Sequence, residues 1–218
     1  MMIHKRTMIN NGKEVQYTFI ENGNPAVCFM FCGAAYTYDK PLLYYSTMLM
    51  IENKYDVVHI HYSFKHDILE LPLTEVTDTI CEEINPVITE VMKEKQYPKT
   101  VFLGKSLGTI PIINGFMKND MYLHSKMVLL TPLLKFEMIY KNLLLCKHSS
   151  IIVIGEKDTH YIPSRMKALE KNTKIQIETV PNANHSLDVE PLNTIKSITA
   201  LEKTVKRLDS FLNPKAWV

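Results

Sequence analysis

The strongest constraint on how this chain folds is a succession of short apolar or β-branched runs with helix-period sequence between them. Ala26 to Phe31, Tyr55 to Tyr62, Thr100 to Leu103, Met127 to Leu130 and Ile151 to Ile154 are each of strand length. Runs that are apolar throughout, rather than alternating, belong to strands buried on both faces of a parallel sheet. Between them, Leu42 to Glu52 is rich in Leu, Met and Tyr. Leu73 to Lys95 carries Val76, Ile80, Ile84, Ile88 and Val91 at helical spacing, and Leu192 to Phe211 is amphipathic. The pattern predicts an α/β fold: a three-layer α/β/α sandwich around a mostly parallel sheet, with right-handed connections.

Secondary features refine this. Lys13 to Ile20 and Lys174 to Val180 alternate and read as strands. A helix is expected from just after Ser106 to about Met117, and the stretch 131–150 has room for about one more. Pro86 falls inside the Leu73–Lys95 pattern and is expected to kink or split it. No change of composition marks a boundary, so residues 1–218 read as a single domain, with no stretch long enough for a large cap.

With 46% apolar and 22% charged residues the balance is globular, which argues against disorder. The net charge of +2 and the absence of a Lys/Arg block argue against a nucleic-acid partner. Met1 to Gln16 is polar and alternating, unlike the apolar core of a signal peptide. No run reaches the roughly 20 apolar residues that span a bilayer, so no stable membrane insertion is expected. Cys28, Cys32, Cys81 and Cys146 have neither C-x-x-C nor zinc-like spacing, and read as small hydrophobes of a reducing, cytoplasmic compartment.

Chemistry enters at Gly104-Lys105-Ser106-Leu107-Gly108, between the strand Val101-Phe102-Leu103 and a helix. A G-x-S-x-G sequence in that setting makes a very tight turn that exposes the serine hydroxyl at the sheet edge. Side chains two residues either side would collide, hence glycine at both. The adjoining Gly104-Lys105-Ser106 is not a P-loop, because Lys99 stands where that motif needs its first glycine. A nucleophilic serine needs a base, and the base an orienting acid. Asp158 lies in Gly155-Glu156-Lys157-Asp158, just after the strand Ile151–Ile154. His185 lies between the last strand and the last helix. Ser106, Asp158 and His185 thus each follow a strand, in that order along the chain. Two backbone amides should meet the developing oxyanion: Leu107, next to the serine, and Ala34, in the small-residue loop Phe31-Cys32-Gly33-Ala34-Ala35-Tyr36.

In these residues, and in their order, the chain resembles a small member of the α/β-hydrolase superfamily from Lys13 to about Phe211. Gly104 to Gly108 match the nucleophile elbow, Asp158 the acid, His185 the base and Gly33-Ala34 the oxyanion loop; Cys32 stands where that family often has histidine. The resemblance implies a serine hydrolase acting on an ester, thioester or similar acyl bond of a small molecule, with no cofactor. Two alternatives stay open: a binding or interaction protein on the same fold, and a non-hydrolytic acyl-transfer enzyme on the same triad.

Other residues have plainer readings. His59 and His61 share a strand face, but no third ligand at suitable spacing makes them a metal site. His160 reads as a loop residue, and Asp188 as a helix cap or a second acid. Tyr36, Tyr38, Tyr44 and Tyr45 either wall a pocket or pack the first helix. Lys105 reads as a surface charge at the elbow.

Overall fold

The computed structural model describes residues 1–10, 12–62 and 68–214. Its strands are β1 (Met2–Asn10), β2 (Lys13–Glu21), β3 (Ala26–Phe31), β4 (Tyr55–His61), β5 (Lys99–Lys105), β6 (Lys126–Leu130), β7 (Ser150–Gly155) and β8 (Ile175–Val180). Its helices are α1 (Pro41–Glu52), α2 (Leu73–Glu94), α3 (Thr109–Asn114), α4 (Glu137–Leu144), α5 (Pro163–Leu169) and α6 (Thr194–Leu212). The strands form one 8-stranded sheet in the order β1-β2-β4-β3-β5-β6-β7-β8. β1 and β2 are antiparallel, as are β2 and β4, and every pair from β4 to β8 is parallel.

Side-chain alternation sends each strand's residues into two cores, which is why the central strands are apolar throughout. On one face Val101 and Leu103 pack with Leu42, Leu43 and Met50 of α1 and with Leu208 and Phe211 of α6. On the other, Phe102 packs with Val76, Ile80 and Ile84 of α2 and with Ile112 and Ile113 of α3. The three-layer α/β/α arrangement and mostly parallel sheet expected from the sequence are present.

Four details differ from the sequence reading. Pro86 lies inside α2 without splitting it, because Ile80, Ile84, Val87, Ile88 and Val91 are buried along one side and hold the helix. The helix after Ser106 is shorter and composite: a 3-10 turn at Ser106–Gly108, then α3, then another 3-10 turn at Phe116–Lys118. Pro111 sits in the first turn of α3, where its missing N–H costs no helical bond. β1 was not anticipated because none of its residues is buried. It is an edge strand tied down by polar contacts, chiefly Arg6 Nη1 to both Glu94 carboxylate oxygens at 2.7 and 2.8 Å. α5 was also missed: it has 7 residues and is signalled only by Pro163 at its start.

At the N-terminal end of β4, Asp56 is fully buried and fully occupied. Its Oδ1 accepts from the Asn22 and Asn24 amides at 2.8 and 3.1 Å, and its Oδ2 from Tyr97 Oη at 2.9 Å and Lys95 Nζ at 3.0 Å. The opposite, C-terminal ends of the parallel strands carry the loops that hold Ala34, Ser106, Asp158 and His185.

Candidate active site

Ser106 follows β5 with φ of 53°, a left-handed conformation rare for a residue with a side chain. The elbow needs both its glycines. A Cβ on Gly104 would overlap the carbonyl of Gly108, and one on Gly108 would overlap the carbonyl of Phe31 in β3. Tight packing of β5, the 3-10 turn and β3 thus forces the strain onto Ser106. Thr109 Oγ1 donates to the Ser106 carbonyl at 2.6 Å and closes the turn.

The structure brings Ser106, His185 and Asp158 into one hydrogen-bonded line. His185 Nε2 lies 2.8 Å from Ser106 Oγ, and His185 Nδ1 lies 2.7 Å from Asp158 Oδ2. The Asp158 side chain is wholly buried, while the imidazole is about one-third exposed and open to a reactant (35%). Asp158 Oδ1 accepts from the His160 amide at 2.8 Å, which fixes the rotamer of the carboxylate. The loops that carry Asp158 and His185 are stitched together: Lys157 N–H donates to the Ala183 carbonyl at 2.8 Å and Glu156 N–H to the Val180 carbonyl at 3.0 Å. Gly155 makes this approach possible, since a Cβ there would overlap the Ala183 carbonyl. Asn182 and Leu187 take φ of 55° and 66°, and Asn184 Oδ1 accepts from the Ser186 and Asp188 amides at 2.9 and 3.1 Å. A short, self-bonded turn therefore presents His185.

The loop after β3 packs directly on Ser106. A Cβ on Gly33 would sit 3.4 Å from Ser106 Cβ and 3.4 Å from Tyr36 Cβ. Tyr62 Oη donates to the Cys32 carbonyl at 2.5 Å, and Tyr38 Oη to the Met30 and Ile60 carbonyls at 2.6 and 2.8 Å. Ala34 is in this pinned loop. Leu107 is buried in the 3-10 turn beside Ser106, whose first amides have no partner inside the turn.

Lys105 corrects the sequence reading. It is not a surface charge but 1% exposed. Its Nζ donates to Thr131 Oγ1 at 3.1 Å and to the His185 carbonyl at 3.0 Å, and lies 4.7 Å from the centroid of the Tyr36 ring. Burial pushes the ammonium down to about 8, with the charge of Asp158 pulling the other way. The missed signal was register: Val101, Leu103 and Lys105 alternate onto one face of a central, fully covered strand. Thr131, with φ of 48°, was missed with it.

The remaining candidates separate cleanly. His160 stacks on Phe136 at a centroid distance of 6.3 Å, leans tilted against His185 at 5.5 Å and is not the ring that bridges Ser106 and Asp158; burial lowers its ring's proton affinity. Asp188 does not cap the last helix; Asn193 does, accepting from the Lys196 amide at 3.0 Å. His185 Nδ1 is already engaged by Asp158 rather than by Asp188. His59 bonds Thr47 Oγ1 at 2.8 Å and stacks on Tyr38, and His61 bonds Thr18 Oγ1 at 2.8 Å. Among the described residues no group of three His, Cys, Asp or Glu is placed to hold a metal. Of the four tyrosines, Tyr38 is partly buried against one core, Tyr44 and Tyr45 are about half exposed on α1, and Tyr36 lines a groove beside the site. That groove, of about 540 Å³, runs between Ala35–Leu42, Ser186–Asp188 and the start of α6. A larger depression of about 910 Å³ between β1 and α2 contains none of these residues. No helix among the described residues is long and apolar enough to cross a membrane.

Neither a protein-family model nor a curated protein matches the chain. Solved structures do. An esterase of Pyrococcus furiosus, 15% identical, superposes with a TM-score of 0.69 over 98% of this chain and 92% of its own. An α/β serine hydrolase without lid from Xanthomonas campestris, 12% identical, gives 0.67 over 94% of each chain. Est1E of Butyrivibrio proteoclasticus with ferulic acid bound, 11% identical, gives 0.63 over 93% and 99%. The sheet order, the elbow and these likenesses agree: the chain has the α/β-hydrolase fold.

Proposed function

We propose that the chain is a serine hydrolase that cleaves an ester, thioester or similar acyl bond of a small molecule through an acyl-enzyme. The observation that carries this is the unbroken line from Ser106 Oγ through His185 to Asp158, at 2.8 and 2.7 Å, on a serine held at φ of 53°. Fold likeness adds that an esterase and a lidless serine hydrolase share this architecture.

In this reading Ser106 Oγ attacks the acyl carbonyl as its proton passes to His185 Nε2. Asp158, bonded to Nδ1, orients the ring and stabilises the imidazolium. The Leu107 and Ala34 amides receive the oxyanion. His185 then gives its proton to the leaving group, the acyl group stays on Ser106, and a water deprotonated by His185 releases it as the acid. The groove lined by Tyr36, Leu42, Leu187, Leu192 and Ile198 receives the substrate's apolar portion. A single domain without a large cap belongs to this reading. It is supported by the β6–β7 connection, whose helix, α4, has 8 residues. A cytoplasmic location belongs to it too, supported by four free cysteines.

The test is turnover of p-nitrophenyl esters of increasing acyl length by the parent and by Ser106→Ala. The expected result is hydrolysis by the parent and a loss of roughly 10⁴-fold or more in kcat/KM in the variant, with the fold unchanged. Equal residual rates in both proteins would leave the fold as a binding scaffold.

A further inference from the structure

A lysine side chain on the central strand of a covered sheet is an expensive choice. Burying an unpaired ammonium is strongly unfavourable, and methionine would fill the same volume at no electrostatic cost. Lys105 nevertheless occupies that position at 1% exposure. Its three N–H groups have three partners, and each partner belongs to a different loop. His185 offers its own backbone carbonyl, from the loop after β8, at 3.0 Å. Thr131 Oγ1, from the loop after β6, is at 3.1 Å, and the face of Tyr36, from the loop after β3, is 4.7 Å away at its centroid. The lysine is itself the residue before the nucleophile.

We propose that Lys105 is a positioning residue of the hydrolytic site: its ammonium ties the main chain of His185 to the elbow and holds the imidazole within reach of Ser106. This rests on the reading of Ser106, His185 and Asp158 as the catalytic line. The bond to His185 is charge-assisted, and such bonds are about twice as strong as neutral ones. When the ammonium loses its proton the tie weakens and the base loop relaxes. Rate then falls although every triad member is intact, because misplacement by about 1 Å costs on the order of 10²-fold.

Several other groups face this ammonium. Asp158 and His160 come from the loop after β7, His185 from the loop after β8, Thr131 from the loop after β6 and Tyr36 from the loop after β3. Asp158 favours the charged lysine. Burial raises the Cys32 thiol and the Tyr36 phenol, which keeps both protonated through the range in which Lys105 titrates. Burial lowers His160, which leaves it neutral there.

The experiment is the second-order rate at which a fluorophosphonate labels Ser106 between pH 6 and 10, in the parent and in Lys105→Met, with circular dichroism to show that both are folded. In the parent the rate is expected to fall around pH 8, where Lys105 loses its proton. Lys105→Met is expected to label about 10- to 100-fold more slowly at pH 7 and to lack the alkaline fall. Labelling of the variant at the parent rate, or an alkaline fall that survives in it, overturns the role of Lys105 alone. If the variant does not fold, the parent profile decides: a fall near pH 8 supports the proposal, and a flat alkaline limb overturns it. A parent that does not label at all removes the hydrolase reading, and this inference with it.

Discussion

Asp56 at the N-terminal end of β4 and Lys105 at the C-terminal end of β5 are both buried charges, and the protein satisfies them in different ways. Asp56 receives four donors, one of them the ammonium of Lys95, so its charge is matched by an opposite charge at 3.0 Å. Lys105 receives a carbonyl, a hydroxyl and a ring face, and the nearest carboxylate, Asp158, is bonded to His185 instead. The backbone shows the same contrast. Of the five non-glycine residues with positive φ among those described, Ser106, Thr131, Asn182 and Leu187 lie in loops at the C-terminal ends of the strands; Lys54 alone lies at the other end. One end is built for stability, and the other holds strain and incompletely neutralised charge next to an exposed imidazole.

Four substitutions probe the two ends of the sheet. The largest effect is expected from Asp158→Asn, which keeps the shape but loses the charge that stabilises the imidazolium. Ester kcat/KM should fall by about 10⁴-fold, while the urea midpoint moves little. Asp56→Ala should do the reverse. It strands Lys95, Tyr97 and two amides, and should lower unfolding free energy by about 3–5 kcal/mol in urea titrations, while the folded fraction keeps the parent's kcat/KM.

Lys105→Met comes third, and its sign can be worked out. The lysine titrates at about 8 in the folded protein against an ordinary 10.5. Between those values the unfolded chain binds more protons, so the contribution of this group to stability rises with pH. The stability of the parent relative to Lys105→Met should therefore grow by up to about 3 kcal/mol from pH 7 to pH 10.5, measured by urea unfolding at each pH. The parent would gain stability over the same range in which it loses labelling rate, which separates a positioning role from simple unfolding. The smallest effect is expected from Asp188→Asn. With His185 Nδ1 already held by Asp158 at 2.7 Å, its kcat should stay within about twofold of the parent, any change falling on KM because Asp188 borders the groove; a large loss of kcat would mean that Asp188 acts as the acid.

The sequence was legible where one residue type answers one physical demand. The central strands declared themselves because burial on both faces permits only apolar residues, and the elbow did so because Gly104 and Gly108 have no room for a Cβ. Asp158 and His185 were readable as loop residues following strands, in an order that a sheet edge brings together. β1 was opaque because a strand with no buried residue lacks an apolar face to detect. α5 was opaque because it is short, and its Pro163 start is a weak signal on its own. Lys105 was misread for a different reason. Within Gly104-Lys105-Ser106-Leu107-Gly108 it occupies a position open to any residue, and only its register with Val101 and Leu103 shows that it points inward. The contacts that explain it come from residues 26 and 80 positions away, which no local pattern contains.

The proposed chemistry requires Ser106 to be a nucleophile activated by His185. Intact-mass spectrometry after incubation with a fluorophosphonate, followed by peptide mapping, tests it directly. A single adduct on Ser106 is expected in the parent, none in Ser106→Ala, and greatly slowed labelling in His185→Ala. A folded parent that gains no mass, or an adduct mapped to another residue, would contradict it.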